Sequence, residues 1–488
     1  MLEEQEITQL LANQPIELKP ETDFFNSIPK AQTILRFIES FSESLEKNKL
    51  LALYGDWGSG KTSLLKYIQG KLNESKFKTI YFETWKYEKD DNLALSLVDV
   101  ILENVDKEKF SEAIQNFKNI SFSLLKNFAK SISFQTPIIT INTGEIIKSL
   151  EDEAIKEEED KSFHQKMKEF ESSYKIIEDK LLKRNDKQII IFIDDLDRCE
   201  PENILNLLTA LKHFFSNGEK TIFFCGIDKD AITKAVKHKY KDVVKSEEYL
   251  EKIFDINFHM PLQFDLKKLL NYYFLPGHVG IIEKYLKSIN FTNPRHLKKV
   301  LNKFLILKFI KNKGIDFEEL IPEMINGNIL NLIFVLHFII LFEFKKVIFL
   351  ELKDIDKRMQ QLTFNKYNGM IQSGDNPASL SHLRVNSRDF EPSKNEIMDI
   401  FGNTHMSKIL KALHLILTIP PKTINAGISG DLNPNTQKEY LEYLDNFTGD
   451  ENIQVNFAKF IIQHQEELKT QGNTFKYNNL FKMVEEYL

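Results

Sequence analysis

The sequence predicts a three-layer α/β sandwich, a parallel sheet between helices, followed by a mainly α-helical C-terminal region. Three observations predict it. Short, continuously apolar runs alternate with stretches of helical spacing as far as about residue 265. One such run ends in a glycine-rich turn that opens a helix. Beyond Asp265 the strand pattern stops and helical spacing takes over, broken by loop-like stretches at Asn365 to Asn395 and Pro420 to Thr436.

Each element has its own signal. Ile34, Leu35, Ile38, Phe41 and Leu45 recur at three- and four-residue spacing and predict a helix over Lys30 to Leu45. Leu50 to Tyr54 reads as a buried strand and Lys61 to Leu72 as a helix. Thr79 to Trp85 reads as a second strand and Asn92 to Val105 as a helix. Residues 106–187 are poor in glycine and rich in Lys and Glu, with an acidic run at Glu151 to Asp160 that suits a solvated helix face. Strands return at Gln188 to Asp194, Thr221 to Ile227 and Phe254 to Met260, with a helix at Pro201 to Phe215 after the first of them.

Composition bounds the function. The chain has 488 residues, too many for one ordinary core, and 42% of them are hydrophobic, too many for disorder. Sixty-five Lys and Arg face 71 Asp and Glu, so no global basic field draws in nucleic acid. Two cysteines, Cys199 and Cys225, exclude a disulfide scaffold and suit a reducing cytoplasm. The acidic start Met1 to Glu6 does not read as a secretory signal. The longest apolar stretch, Ile329 to Phe342, falls short of the roughly 20 residues that span a bilayer, and is expected to be a buried helix.

The strongest motif is Gly55-Asp56-Trp57-Gly58-Ser59-Gly60-Lys61-Thr62, which matches G-x-x-x-x-G-K-[ST] between a strand and a helix. Glycines allow successive backbone N–H groups to converge on a phosphate, and the helix N-terminus favours the anion. Gly55 to Ser63 are therefore the nucleotide-binding candidates. Lys61 is expected to reach the β- and γ-phosphates and the Thr62 hydroxyl to hold Mg²⁺. A tight turn with an incidental lysine is the alternative.

A second signal is acidic. Ile189 to Ile193 runs into Asp194-Asp195-Leu196-Asp197-Arg198. A carboxylate at the end of a buried strand can hold Mg²⁺, and Asp194 is assigned that role. Asp195 would point the other way if the strand persists, where it can polarise a water. Asp197 and Arg198 can pair locally, or Arg198 can serve a neighbouring subunit's nucleotide. Asp228 can sense a γ-phosphate or cap the helix that begins near Ala231. No guanine-reading Asn-Lys-x-Asp occurs, since Asn365-Lys366-Tyr367-Asn368 lacks the acid, so ATP is the expected nucleotide. No zinc-ligand spacing occurs.

With Phe82 to Glu88, Ile193 to Pro201, Tyr249 to Ile253 with Pro261, and Asn293-Pro294-Arg295 to Asn302 added to the glycine-rich turn, the chain resembles the KAP P-loop NTPases, a branch of the additional-strand class. The resemblance covers about residues 25–305. It implies an ATPase switch needing Mg²⁺, with an insertion at about 106–187, a lid region at 266–355 and Arg295 as a γ-phosphate contact. Many relatives carry membrane spans in the insertion; this chain has none there. Bacterial soluble relatives look like parts of anti-phage defence systems, which makes a protein partner or homo-oligomer the expected context. Residues 1–29 then form an N-terminal arm, 30–265 the nucleotide domain, and 356–488 a helical region of unassigned role. Seven Lys or Arg and no acid between Arg295 and Lys313 leave a nucleic-acid contact open. Negligible hydrolysis, with the chain acting as a nucleotide-binding scaffold, is the alternative function, and a nucleic-acid-stimulated motor the third.

Overall fold

The computed structural model describes residues 10–134, 162–311, 329–353 and 453–464, less a few short internal stretches, and isolated residues near the C-terminus. The acidic start, the acidic run 151–160, the loop-like stretches and nearly all of 356–488 lie outside the described residues. The chain falls into two compact units.

The first comprises Gln14–Asp265 with Asn293–Arg295. Its elements are α1 (Ile28–Ser40), β1 (Leu50–Tyr54), α2 (Lys61–Lys71), β2 (Phe77–Glu83), α3 (Leu93–Glu103), α4 (Lys107–Phe134), α5 (Phe163–Leu181), β3 (Gln188–Asp194), α6 (Pro201–His213), β4 (Thr221–Ile227), α7 (Lys229–Tyr240), α8 (Val244–Ile253) and β5 (Ile256–His259). The strands form one sheet in the order β2-β3-β4-β1-β5, parallel throughout. Every residue of β1, β3 and β4 is buried, the burial expected of a parallel sheet covered on both faces.

Alternate residues of β1, β3 and β4 serve two cores. Ile189, Ile191 and Ile193 of β3 pack with α3, α4, α5 and α6, alongside Phe223 and Cys225 of β4. Ile190 and Phe192 face the other way, with Leu51, Leu53 and Phe224, onto α1 and α2. Each fully buried Leu, Ile or Phe contributes about 1.5–3 kcal/mol. The described helices of the insertion join the first core: Phe117 of α4 stacks on Tyr174 of α5, and Phe170 meets Phe214 and Phe215 edge-on. These described helices are thus part of the main core and not an appendage to it.

The second unit comprises Met1–Asn13, Leu266–Thr292 and His296–Leu488. Its described helices are α9 (Lys267–Tyr273), α10 (Pro276–Ser288), α11 (Pro294–Lys311, beginning in the first unit), α12 (Ile329–Phe344) and α13 (Ile453–Gln463). The apolar stretch is α12, with Ile333, Leu336 and Phe338 to Leu341 buried. No helix among the described residues is long and apolar enough to cross a membrane. His337 of α12 lies flat on Phe457 of α13 and shares a 2.9 Å hydrogen bond with the Tyr285 hydroxyl of α10. Burial drops its pKa to about 3, so it is neutral packing. Lys299 and Lys303 of α11 both pair with Glu343 of α12.

Candidate nucleotide site

The site lies at the carboxyl ends of β1, β3 and β4, where parallel sheets of this kind offer their loops. β1 ends at Tyr54 and the chain turns through Gly55 to Gly60 into α2. Gly58 and Gly60 have φ of 86° and 99°, left-handed values that side chains rarely tolerate. A Cβ on Gly60 would meet only the Met260 Cε, 3.8 Å away, so the space beside it is open. Gly55 is tight instead: its Cβ would come within 2.7 Å of the Ser59 Oγ. That hydroxyl is buried and has no hydrogen-bond partner among the described residues, an orphan polar atom inside the turn. Lys61 is buried and donates to the carbonyls of Gly55 at 2.7 Å and Asp56 at 3.2 Å, folded over its own loop. Ser63, in the first turn of α2, accepts the Ile16 N–H at 3.1 Å and so fastens the preceding segment to the helix. Thr62 is partly exposed between them.

Asp194 follows Ile190 and Phe192 onto the α2 face of the sheet by strand alternation. It is 1% exposed. Its Oδ2 accepts the Tyr81 hydroxyl at 2.7 Å and its carbonyl accepts the Thr84 hydroxyl at 2.8 Å. Burial first, then the Asp194 charge, pushes the Tyr81 pKa far up, so the phenol remains a donor. Gly226 of β4 makes the neighbourhood possible. A Cβ there would lie 2.7 Å from Leu65 Cδ1, 3.1 Å from Asp194 Oδ1 and 3.8 Å from the Lys61 Cβ. The Lys61 Cβ and Asp194 Oδ1 therefore both border the space beside one glycine. The sequence signal for Gly226 was its place inside an apolar strand, which marks a close approach; Tyr81 and Thr84 carried no signal beyond strand alternation.

The strand does not persist to Asp195. That residue turns at φ 58° into a short 3₁₀ turn over Leu196–Arg198, so its direction is set by the turn and not by the pleat. Arg198 pairs with it at 2.9 Å and covers the Trp85 ring at 5.4 Å. Burial first and the Asp194 charge second push the Asp195 carboxyl up to about 6, with Arg198 opposing. Asp197 is raised chiefly by burial, with Lys61 opposing. Asp228 caps α7, accepting the N–H groups of Asp230 and Ala231 with Oδ1, while Oδ2 accepts the Trp57 N–H at 2.8 Å. Arg295 sits over the Trp57 ring at 4.2 Å, and burial followed by the Arg198 charge lowers its pKa. Glu83 is engaged elsewhere, with Lys66 and Lys86. Glu88 accepts the Glu200 N–H at 2.6 Å, which ties two of the segments read together in the sequence.

These residues fit a nucleotide with a divalent cation. The orphan Ser59 hydroxyl, the open side of Gly60 and the N-terminus of α2 suit an anion, and the buried carboxylate beside a hydroxyl-bearing helix start suits a hard cation.

The KAP family P-loop domain matches residues 31–275. Two uncharacterized proteins of Methanocaldococcus jannaschii are similar. MJ0181 is 32% identical, over 49% of this chain and 100% of its own, and MJ0182 is 37% identical, over 30% of this chain and 89% of its own. Among solved structures, the Aeropyrum pernix ORC2 protein in ADPNP–ADP complexes aligns at 12% identity and a TM-score of 0.30, covering 62% of this chain and 67% of that one, a likeness too loose to carry an argument. The glycine-rich turn, the acidic strand end and the matched domain coincide, and the chain belongs to the KAP family of P-loop domains.

Proposed function

We propose that the chain is a Mg²⁺-dependent ATPase that works as a molecular switch. The observation that carries this reading is the place of Lys61 and Asp194 beside Gly226, with the orphan Ser59 hydroxyl. Thr62 and Asp194 would hold Mg²⁺, which when bound supplies charge to the terminal phosphates. Lys61 would exchange two loop carbonyls for phosphate oxygens. Asp195 would take the proton of an attacking water; a carboxylate near pKa 6 is better matched to that task at neutral pH than an ordinary one. Arg295 would reach the γ-phosphate from the start of α11. Strand β4 between β1 and β3 supports placement in the additional-strand class.

Steady-state phosphate release tests the reading. Wild type should hydrolyse ATP at least as well as GTP, and Lys61→Ala should lose binding and turnover together. Turnover absent with every nucleotide, partner and nucleic acid offered would leave the scaffold reading, which the Asp195–Arg198 pair favours because it keeps the base engaged. Among the described residues, three of the seven basic side chains offer less to the nucleic-acid motor. Lys299 and Lys303 are committed to Glu343, and Lys298 is 7% exposed. Resemblance to bacterial relatives supports anti-phage defence within the cytoplasm, with a protein partner or a second copy; the M. jannaschii relatives extend the family to an archaeon. Phage challenge of cells carrying wild type or Lys61→Ala tests that role.

A further inference from the structure

We infer that Trp57 and Asn293 are positioning residues that set the place of Arg295, and that the Trp57 ring is the seat from which this arginine moves when a γ-phosphate is bound. The inference rests on the reading of Arg295 as a γ-phosphate contact and adds the device that controls it.

Trp57 is held on three sides. Its N–H donates to Asp228 Oδ2 at 2.8 Å and its carbonyl accepts Asn293 Nδ2 at 2.9 Å. Both backbone groups are thereby engaged by side chains from other segments. Its ring, half-exposed, carries the Arg295 guanidinium at 4.2 Å. Asn293 links the two halves of this arrangement. Its Oδ1 accepts the Arg295 N–H at 3.0 Å, capping α11 just before Pro294, while its Nδ2 grips the loop.

Gly58 shows how closely the parts fit. A Cβ there would lie 2.7 Å from the Arg295 Cβ and 2.9 Å from Asn293 Oδ1. The glycine needed for the φ of 86° is also the one that admits the start of α11. A cation over an aromatic face is held by a modest attraction. A phosphate dianion nearby outcompetes it, and the side chain swings while Asn293 keeps the backbone fixed.

The test uses the full chain. Trp57 and Trp85 are its only tryptophans, so Trp85→Phe leaves Trp57 as the single reporter. ATP with Mg²⁺ should change Trp57 emission more than ADP with Mg²⁺, and adding Arg295→Ala should erase the difference. Trp57→Ala and the near-isosteric Asn293→Asp, which keeps the cap but loses the donor to Trp57, should each lower kcat by about 10- to 100-fold with ATP affinity within about threefold of wild type. Trp57→Phe, which keeps a ring face, should recover most of the loss. Wild-type kcat in both Trp57→Ala and Asn293→Asp overturns the inference, as does an identical emission change with ATP and ADP while Arg295 is present. Arg295→Ala alone judges the parent reading. If it turns over normally, the γ-phosphate role fails; emission that still separates ATP from ADP only when Arg295 is present then keeps the seat on Trp57.

Discussion

Two carboxylates of the nucleotide domain are each 1% exposed, and their surroundings are opposite. Glu178 of α5 lies by the amino end of β4. It accepts the N–H of Glu219 at 2.7 Å, the N–H of Lys220 at 3.0 Å and the hydroxyl of Thr221 at 2.7 Å. Its charge is spent on fixing the insertion helix to the sheet. Asp194, at the carboxyl end of β3, has one oxygen held by Tyr81; among the described residues none donates a hydrogen bond to the other, which lies beside Gly226. Burying a carboxylate is costly unless its lone pairs are satisfied. The amino end meets that cost with protein donors, whereas at the carboxyl end the described residues supply a donor to one oxygen alone. One acid holds the fold; the other is the one proposed to hold a cation.

Substitution should separate the two. Glu178→Ala strands three donors, each worth about 1–3 kcal/mol when buried without a partner. Urea unfolding should show the largest loss of stability in the set, about 3 kcal/mol or more. Asp194→Asn should cost less than about 1 kcal/mol by the same assay, because the amide oxygen still accepts from Tyr81. Comparable losses from the two would erase the contrast.

Gly226→Ala comes next. Its Cβ would intrude on Leu65 in a packed sheet, a cost of about 1–3 kcal/mol, and crowd Asp194 Oδ1. Denaturation and Mg²⁺-dependent nucleotide binding should fall together, whereas an intact Mg²⁺ response would place the cation away from Asp194.

A smaller effect concerns pH. The folded-state pKa of Asp195 is raised to about 6 from the ordinary aspartate value of 3.8. The native state therefore binds more protons than the unfolded one in the window between these values. Its contribution to stability is fully present below the unfolded pKa and is lost as pH rises through about 6. Asp195→Asn should flatten the stability profile between roughly pH 4 and 6. In wild type, kcat/KM should fall as pH drops below about 6, where the proposed base becomes protonated. A kcat/KM that stays level from pH 7 to pH 5 assigns water activation to another group. The smallest effect is that of Tyr81→Phe, which frees one Asp194 oxygen. Mg²⁺ affinity in the presence of ATP should fall by about tenfold, read by metal titration, with little change in stability.

Much of this arrangement was legible in the sequence. The bounds of β1, β3 and β4 coincide with the sequence reading because both faces are buried, which leaves no polar position inside each run. The outer strands were less sharp. β2 begins at Phe77, two residues before the reading, and β5 spans only Ile256–His259, since Phe254 still donates to Leu250 at the end of α8. The turn at Asp195 was illegible, because a left-handed aspartate leaves no periodic trace. Equally hidden were the contacts that join distant segments. Tyr81 with Asp194, and Asn293 with Trp57, depend on topology and not on spacing. Asp228 was open between sensing and capping; its Oδ1 caps α7, and its Oδ2 holds the loop.

The central claim, that Asp194 and the glycine-rich turn together hold a metal–nucleotide pair, is tested most directly by ATP affinity in wild type and Asp194→Asn, each titrated calorimetrically with Mg²⁺ and with EDTA. The account predicts equal affinities in EDTA, a gain of about tenfold or more with Mg²⁺ in wild type, and almost no gain in Asp194→Asn. The same Mg²⁺ gain in both proteins would contradict it.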